Sequence, residues 1–581
     1  MKYLGISEDF STPFSQNGPY EGLYPLTVIE QEIIKVLCEI KNKVNWYEKI
    51  LDQNILKKWK SELEPHFNPQ VVEYAIQELL YFANVPQSED RILPGPVDRT
   101  YSADNLVPEP LLVNLLSCVS KLENVPEKDL DWHPGSNNQV LDLVHPSLFP
   151  VVFGETRAIT KNLDPEEVLD WNTVIGTGLV ENVVPKIKSI PEDENYYFIN
   201  SKEMFYSDKY QWLPAEVEID SSGNSKILSY INNLHPEFHK DMYSVLEKIL
   251  TLLIPLLNKT LNDTIVQNIS ENSLRINPMS YFNESFDEFT KRVVLSDRLL
   301  SEEQMSLYKD GLGESSLFEI FPDLSDLMWD RYEEERIVAP PEIFKYDPSD
   351  INDNQKKISL NSTRLQVIVK LANIVLTPEN PTYSGGVWHV EGMENENIVA
   401  TAICYYDQEN ISESKLEFRA NIRDPYYEQN DSMGTQNTYG LKDGDPLVQY
   451  VGHIDSIKGR CIVFPNIYQH KVQPFELLDF TKPGFRKILC YFLIDPSKRI
   501  LSTAIVPPQQ KSWFDIELNK NNNKISSLPP EITDMIIKEV EWPMSLEKAK
   551  KHRCELMEER KFYILKESKE IFERPFSLCE H

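Results

Sequence analysis

The sequence predicts an α+β protein with a strand-rich core over residues 361–510, placed between helical regions at the two ends of the chain. Three observations predict this class. From Leu365 onward, short runs of β-branched and aromatic residues are separated by Gly, Pro, Asn and Asp, which is typical of an antiparallel sandwich or barrel. In the first 130 residues, and again after Pro507, apolar residues recur at helical spacing. Residues 131–360 predict a mixed α/β region with a hairpin packed on the core.

The N-terminal region, residues 1–130, contains two well-marked amphipathic segments. In the second, Asn68 is placed to cap a helix that begins at Pro69. The C-terminal region, residues 511–581, contains a charged amphipathic helix for which Ser545 is the predicted cap. The apolar face of the first segment consists of Ile29, Ile33, Val36, Leu37 and Ile40.

The middle region begins with a segment rich in Pro and Gly, Asp131 to Arg157, which predicts an ordered loop with short strands. His133 and His145 each precede a proline in this segment. We interpret them as turn residues, because the residue before a proline is held extended. The segment AEVEIDSSGNSKIL then predicts a β-hairpin across Gly223–Asn224, and a helix is predicted from about His239 to Leu261.

The charge and composition of the chain exclude several classes of protein. The 581 residues include 59 Lys or Arg and 91 Asp or Glu, which gives a formal net charge of −32. Such a polyanion repels nucleic-acid phosphates and anionic membrane surfaces, so we expect neither as a partner. The 7 cysteines form no CxxC pair, which argues against a disulfide scaffold and fits a reducing compartment.

The sequence also carries no predicted targeting or membrane segment. The first residues lack the apolar core of a signal peptide and are acidic where a transit peptide would be basic. The most apolar stretch, Ser244 to Leu261, is interrupted by Glu247, Lys248 and Pro255 and is too short to span a bilayer. We therefore expect an intracellular protein, cytoplasmic or nuclear.

The segment GGVWHVEG, Gly385 to Gly392, carries the predicted chemistry. In a strand, residues i and i+2 point to the same side, so His389 and Glu391 would project together at about 7 Å of backbone separation. His470, on a later strand after the turn at Pro465-Asn466, is the predicted third ligand. Two histidines and one carboxylate on one face leave open positions on a metal, as non-haem Fe(II) oxygenases require.

An arginine follows on the next predicted strand. Arg486 lies in GFRKILCYFLID, sixteen positions after His470. A guanidinium on the strand next to that of His470 can bind the far carboxylate of a dicarboxylate co-substrate through two parallel hydrogen bonds. A metal with an adjacent arginine therefore favours 2-oxoglutarate as the co-substrate, and we predict no catalytic residue beyond the three metal ligands.

Other residues are weaker candidates, and one rival metal pair exists. Lys370 and Asn373 lie on the strand before the HxE segment, which is the segment Gly385 to Gly392 that contains His389 and Glu391. Both side chains would reach the co-substrate. The rival pair is His453 and Asp455, which also has the HxD spacing but lacks an accompanying arginine. The residues that we place on the substrate side of the site are Trp388, Tyr230 and Asn232, although the turn after the hairpin also explains the last two.

Several long motifs resemble a largely fungal family of uncharacterised proteins. These motifs include GGVWHVEGMENENIVATAICYYDQENI, GRCIVFPNIYQHKVQPFELLDFTKPGFRKILCYFLIDP and DWHPGSNNQVLDLVHPSLFP, and the resemblance covers roughly Pro25 to His581. The family is a domain of unknown function with a 2-oxoglutarate/Fe(II) oxygenase-like core. The resemblance implies a double-stranded β-helix, or jelly roll, with His389, Glu391 and His470 in the metal positions and Arg486 in the 2-oxoglutarate position. This chain has Glu391 where the wider oxygenase class more often has aspartate.

The predicted reaction is oxidation of a substrate coupled to decarboxylation of 2-oxoglutarate to succinate at Fe(II). The sequence does not identify the substrate, which is a small molecule or a protein side chain. Two alternatives stay open. The first is a non-catalytic jelly-roll interaction protein that binds basic partners through its acidic surface. The second is a cupin-like metalloenzyme that does not use 2-oxoglutarate.

Overall fold

The computed structural model shows a protein of mixed helix and sheet with antiparallel strand pairing. It describes residues 10–15, 22–84, 92–159, 168–180, 205–266, 274–297, 300–309, 319–347, 357–427, 431–520, 529, 531–532, 535 and 542–578.

The helices form three main groups: an N-terminal group, one long central helix with smaller neighbours, and a C-terminal group. None of the helices in the described ranges is long and apolar enough to cross a membrane. They are α1 (Val28–Lys41), α2 (Trp46–Lys49), α3 (Gln53–Leu63), α4 (Pro69–Asn84), α5 (Glu109–Glu123), α6 (Trp171–Val174), α7 (Lys240–Asn262), α8 (Phe286–Asp297), α9 (Glu302–Lys309), α10 (Pro322–Glu335), α11 (Ser432–Tyr439), α12 (Lys511–Lys520) and α13 (Leu546–Glu567).

The strands range from two-residue pairs to a 14-residue strand in the core. They are β1 (Leu93–Pro94), β2 (Tyr101–Asp104), β3 (Val140–Val144), β4 (Val151–Val152), β5 (Arg157–Ala158), β6 (Leu179–Val180), β7 (Tyr210–Gln211), β8 (Ala215–Ile219), β9 (Ser225–Ile227), β10 (Phe282–Asn283), β11 (Val338–Ala339), β12 (Thr363–Leu376), β13 (Thr382–Tyr383), β14 (Ile398–Glu409), β15 (Lys415–Asn421), β16 (Val448–Asp455), β17 (Arg460–Pro465), β18 (Tyr468–Val472), β19 (Phe475–Glu476) and β20 (Gly484–Ile494).

The large sheet joins strands that are far apart in the chain. Its order is β1-β2-β17-β14-β20-β12-β8-β9, and β3 also pairs with β12. Strands from residues 93–104, 140–144 and 215–227 therefore complete the sheet that the core region begins. Within residues 361–510, β12 is an edge strand beside β20, and the earlier strands β3 and β8 pair with its other side.

A smaller sheet, with the order β16-β15-β18, packs against one face of the large sheet. Phe418 and Tyr468 of the small sheet share one buried cluster with Ile368, Tyr405 and Phe492 of the large sheet. Apolar side chains of α7 cover the opposite face of the large sheet. The space between the two sheets is therefore the part of the molecule in which side chains from both can converge.

Several local predictions are confirmed. The first apolar helix is α1, and α4 begins at Pro69 with the backbone N–H of Gln70 donating to Asn68 Oδ1 at 2.9 Å. The hairpin forms as β8 and β9, with Val217 opposite Ile227. At the start of α13, the N–H of Lys548 donates to the hydroxyl of the predicted cap, Ser545, at 3.2 Å.

Candidate metal centre

The HxE segment lies at the edge of the small sheet, beside β18. The backbone N–H of His389 donates to the carbonyl of His470 at 3.2 Å, and the N–H of His470 donates back at 2.9 Å. Gly385 permits the close approach, because it has a φ of +90° and an added Cβ would lie 2.9 Å from the Val472 carbonyl oxygen. This bridge places the two histidines side by side although the chain separates them by a long stretch.

The three predicted ligands converge between the two sheets. One ligand atom from each of His389, Glu391 and His470 lies within 4.8 Å of the others. His470 Nε2 is 3.4 Å from Glu391 Oε1, and the two imidazole centroids are 4.4 Å apart. His470 is buried and the Glu391 side chain is 11% exposed, so water has little access to these atoms.

Neighbouring groups orient two of the three ligands. His389 Nδ1 lies 2.8 Å from the carbonyl oxygen of Val387, so the Nδ1 proton is donated there and Nε2 keeps its lone pair. The Glu391 N–H donates to Asn466 Oδ1, and Asn466 Nδ2 donates to the Glu391 carbonyl, both at 2.9 Å. Phe464 packs on His470 with ring centroids 5.0 Å apart.

The protonation states of the group fit a divalent metal. Burial opposes ionisation of Glu391, but the hydrogen bond with His470 and the nearby positive groups outweigh it and lower its pKa to about 2. Burial, together with His470, lowers the pKa of His389 to about 4. At neutral pH the first residue is therefore a carboxylate and the second a neutral imidazole, the forms that bind Fe(II).

Arg486 lies in β20 and is 2% exposed. Its Nη1 donates to Ser414 Oγ at 2.5 Å, and its guanidinium carbon lies 5.3 Å from the Phe475 ring centroid and 5.6 Å from that of Tyr405. Within the described ranges no carboxylate forms an ion pair with it, and its Nε has no hydrogen-bond acceptor. A buried cation that has no acidic partner favours binding of an anionic ligand, because burying a charge without a counter-charge costs free energy.

Lys370 faces the same side of the sheet as Arg486. It lies opposite Cys490 in the β12–β20 ladder, and Cys490 shares a face with Arg486 because the two are four positions apart in one strand. Burial disfavours the charge of Lys370, yet Glu391 outweighs it and raises the lysine pKa. Two cations therefore face the space that contains the three candidate ligands.

Asn373 does not reach this space, which corrects the sequence prediction. It is three positions from Lys370 in β12, so the two side chains point to opposite faces. Its Nδ2 donates to Glu123 Oε1 at 2.7 Å, and its Oδ1 accepts from the hydroxyl of Tyr406 at 3.4 Å. Asn373 therefore joins α5 to the outer face of the large sheet.

Trp388 also faces away from the ligands. It alternates with His389 along the extended segment, and its ring lies between Arg419, at 5.0 Å, and Lys471, at 4.6 Å. Arg419 and Lys471 are on the outer face of the small sheet, because their strand neighbours Phe418 and His470 point inward. The ring covers the outer face of the small sheet and does not face the three candidate ligands.

The two remaining substrate-side candidates have structural partners instead. The Tyr230 hydroxyl donates to the Val506 carbonyl at 2.9 Å, and Asn232 Nδ2 donates to the Phe149 carbonyl at 2.9 Å. The rival pair stays on β16, where His453 Nε2 lies 3.8 Å from Asp455 Oδ1. Among the described residues, that pair belongs to no group of three ligand-bearing side chains.

Two residues that contact the centre, Ser414 and Asn466, were not predicted from the sequence. A serine before a strand and an asparagine in a turn are common, so no local pattern marks them. Asp142 was not predicted either, and it forms a second cluster with His133 and His145. The His133 Nδ1 atom lies 2.8 Å from Asp142 Oδ2, and the two rings are 5.1 Å apart.

The second cluster does not suit a metal in this geometry. The backbone N–H of Ser147 donates to His145 Nδ1 at 3.1 Å, so the proton of the neutral ring is on Nε2. Burial lowers the pKa of His145 to about 3, which keeps the ring neutral at pH 7. A metal-binding nitrogen must have a free lone pair, and His145 has none to offer.

Two family models match the chain. Residues 69–517 match the family described as "Protein of unknown function (DUF4246)", and residues 3–62 match "Domain of unknown function DUF4246, N-terminal". The chain belongs to the DUF4246 family. No curated protein matches this member of the family.

Solved structures resemble this DUF4246 protein only weakly. One is described as IDO from Bacillus thuringiensis, with 14% identity over 23% of this chain and 46% of that chain. Another is the Fe(II)/(alpha)ketoglutarate-dependent dioxygenase TqaL, with 14% identity over 26% of this chain and 53% of that chain. A prolyl hydroxylase from Trichoplax adhaerens, in complex with a hypoxia inducible factor peptide, has 12% identity over 42% and 92%. This chain spans about half the length of the first two, and at TM-scores of 0.15 none of the three assigns a function.

Proposed function

We propose that this DUF4246 protein is an Fe(II)- and 2-oxoglutarate-dependent oxygenase. The observation that carries the proposal is the convergence of His389, Glu391 and His470 to within 4.8 Å of one another, with Arg486 buried on the facing sheet. Two imidazoles and one carboxylate fill three positions of an octahedral metal and leave three open.

The strand order supports a jelly-roll core. Eight segments contribute in chain order: β12, the HxE segment, β14, β15, β16, β17, β18 and β20. Four of them, β12, β14, β17 and β20, belong to the large sheet, and the other four belong to the small sheet. The chain therefore crosses from one sheet to the other at every step except that from β15 to β16. A double-stranded β-helix requires such repeated crossing between two packed antiparallel sheets, so this order supports the jelly-roll part of the proposal.

Arg486 and Ser414 form the proposed site for the far carboxylate of 2-oxoglutarate. The guanidinium has a hydroxyl beside it and no acid partner among the described residues, so an incoming carboxylate would complete its hydrogen bonding. Phe475 and Tyr405 pack on the guanidinium and exclude water, which strengthens the ion pair. Lys370 supplies a second positive charge on the same face.

His389, Glu391 and His470 would hold the iron, and Asn466 and the Val387 carbonyl would keep the first two in their ligating orientation. When bound, iron with 2-oxoglutarate and O₂ supplies oxidation of a substrate C–H bond, with one oxygen atom entering the substrate and the other entering succinate, and CO₂ released. The buried walls around His470 limit the access of water to that chemistry.

The proposal is tested by incubating purified protein with Fe(II), ascorbate and 2-oxoglutarate and measuring succinate. We expect succinate above the level given by His389→Ala, together with binding of 2-oxoglutarate that requires the metal. Failure of both measurements would refute the oxygenase proposal. Metal-dependent binding without turnover would show that the missing component is the substrate.

Lys370→Met should raise the dissociation constant of 2-oxoglutarate at least about tenfold, since it removes one charge-assisted interaction of about 1.5 kcal/mol or more. Titration calorimetry of the iron-loaded protein without O₂ measures the change. Lys487→Met is the matched control, because the Lys487 ammonium lies 2.7 Å from Glu123 Oε1 on the outer face of the sheet. Equal weakening by both substitutions would contradict a role for Lys370.

Asn373→Leu should leave the affinity for 2-oxoglutarate within about twofold of the wild type. The expected cost is in stability, because Glu123 loses the amide that donates to it at 2.7 Å. Thermal unfolding followed by circular dichroism and the same calorimetric titration separate the two effects. A large loss of 2-oxoglutarate binding in a folded variant would place Asn373 at the co-substrate after all.

A further inference from the structure

The outward face of α10 presents large apolar side chains to solvent. Trp329 is 49% exposed and Leu327 is 44% exposed. Ile320, two residues before the helix begins, is 53% exposed. Exposed apolar side chains that are grouped on one element often mark a site of contact with another protein.

The opposite face of α10 supplies the apolar contacts that hold the helix in the protein. Leu324 and Met328 are buried, in a cluster that also contains Phe289 of α8. Leu327 and Trp329 do not belong to the buried part of this cluster. Their exposed surfaces are therefore available to another molecule without any loss of the contacts inside the protein.

The indole of Trp329 is held in one orientation. It stacks on the ring of Phe286, with centroids 3.9 Å apart and an angle of 8° between the ring planes. The ring of Tyr332 meets both of them edge-on, at 5.6 Å from Trp329 and 5.4 Å from Phe286. One face of the indole is covered by Phe286, so its exposed surface lies on the other side. A rigid aromatic ring loses little conformational entropy when it becomes part of an interface.

Carboxylates flank both exposed apolar side chains of the helix. Side chains three or four positions apart are neighbours on a helix surface. An acid stands three positions before Trp329 and another four after it, and an acid stands four positions before Leu327 and another three after it. These four exposed acids are Asp323, Asp326, Asp330 and Glu333.

The charge of this face is not neutralised within the described parts of the chain, where none of the four carboxyl groups has an ion-pair partner. Arg331, the one cation in the sequence of α10, donates hydrogen bonds of 2.9 and 2.6 Å to Glu335. Arg336, which follows the helix, forms a buried ion pair with Asp431. The apolar side chains therefore lie in a strongly negative surface.

Such a face is complementary to a partner that combines positive charge with apolar side chains. A guanidinium or ammonium group is attracted to the open face of an indole, and a carboxylate on either side adds a charge-assisted hydrogen bond. The same negative charge disfavours nucleic acid and anionic membranes. It also disfavours a second copy of this chain, whose net charge is −32.

We propose that this face of α10 binds a basic amphipathic helix of a protein partner. A lysine or arginine of that helix lies over Trp329, and its apolar side chains contact Leu327 and Ile320. The surface does not depend on the oxygenase proposal, because the candidate metal ligands and Arg486 lie outside α8 and α10.

A fluorescently labelled peptide of leucine and arginine, arranged as an amphipathic helix, tests the proposal by anisotropy with the full-length protein at physiological salt. We expect a dissociation constant of about 10 µM or lower. Trp329→Ala should weaken binding at least about tenfold, because it removes the aromatic centre of the interface. A second peptide, with serine in place of leucine, keeps the charge and should bind at least about tenfold more weakly.

A double variant tests the contribution of the carboxylates. Asp326→Asn combined with Glu333→Gln removes two charges at nearly constant size, and it should weaken binding about threefold to tenfold and reduce its salt dependence. Glu48→Gln combined with Glu64→Gln is the matched control, because it removes two exposed charges from the N-terminal helices. Phe562→Ala, at an exposed aromatic residue of α13, is the control for Trp329→Ala. Both controls should bind the leucine–arginine peptide as the wild type does.

Three results would overturn the proposal. The first is wild-type affinity in a Trp329→Ala variant that circular dichroism shows to be folded. The second is an equal loss of affinity in the two double variants, which would mean that the peptide responds only to the total charge of the chain. The third is equal affinity for the serine and leucine peptides. If Trp329→Ala does not fold, the double variants and the two peptides decide.

Discussion

Replacing Glu391 by glutamine should lower the affinity for Fe(II) by at least about 100-fold, since loss of a group that only orients a metal ligand already costs about 10–100-fold. Glutamine keeps the size of the side chain but removes the negative charge beside His470 Nε2, which lies 3.4 Å from Glu391 Oε1. Titration with Fe(II) under anaerobic conditions and elemental analysis of the dialysed protein measure the loss.

Glu417→Gln is the matched control for this experiment. Glu417 is a partly buried carboxylate on β15, where its Oε2 lies 3.1 Å from Lys471 Nζ on the outer face of the small sheet. Its substitution should leave the Fe(II) affinity unchanged. Wild-type affinity in a folded Glu391→Gln variant, or the same loss in both variants, would rule out Glu391 as a ligand.

Replacing Arg486 by methionine should weaken 2-oxoglutarate binding by at least about 100-fold and leave the iron in place. Two charge-assisted hydrogen bonds at about 1.5–3 kcal/mol each are lost, and each 1.4 kcal/mol is a factor of ten. The iron should stay, because none of its three candidate ligands hydrogen-bonds Arg486, whose Nη1 donates to Ser414. Calorimetry with 2-oxoglutarate and elemental analysis on the same sample give the two values.

Two further variants define the role of Arg486. Arg486→Lys keeps the charge but not the planar fork, so it should recover only part of the affinity. Arg419→Met, on the outer face of the small sheet, should bind 2-oxoglutarate normally. If Arg486→Met keeps full 2-oxoglutarate affinity while the iron site is intact, the cupin-like alternative becomes the better interpretation.

The two-residue period of a strand already separates some of the predicted site residues. Side chains that alternate along one strand cannot all face one cavity, so Lys370 and Asn373, three positions apart, must face opposite sides. The same rule turns Trp388 away from His389 and Glu391. The errors at Asn373 and Trp388 were therefore avoidable from local geometry.

The long-range contacts were not predictable in that way. Ser414 beside Arg486 and Asn466 on the backbone of Glu391 each depend on strands that pair across long stretches of chain. A single serine, asparagine or aspartate in a turn or short strand has many possible partners. Asp142 differs, because the bridge between Trp132 and Leu141 brings it beside His133, nine positions away in the chain.

The sequence by itself determined the helices with clear apolar faces, the hairpin, the strand-rich core, and the four side chains of the candidate centre. These follow from local rules, namely the 3.6- and 2-residue periods, turn residues and the chemistry of HxE, His and Arg. Only the tertiary structure decided that early strands complete the core sheet and which groups contact the candidate ligands. Those features arise from burial and hydrogen bonding between distant segments, and no local pattern encodes which segments meet.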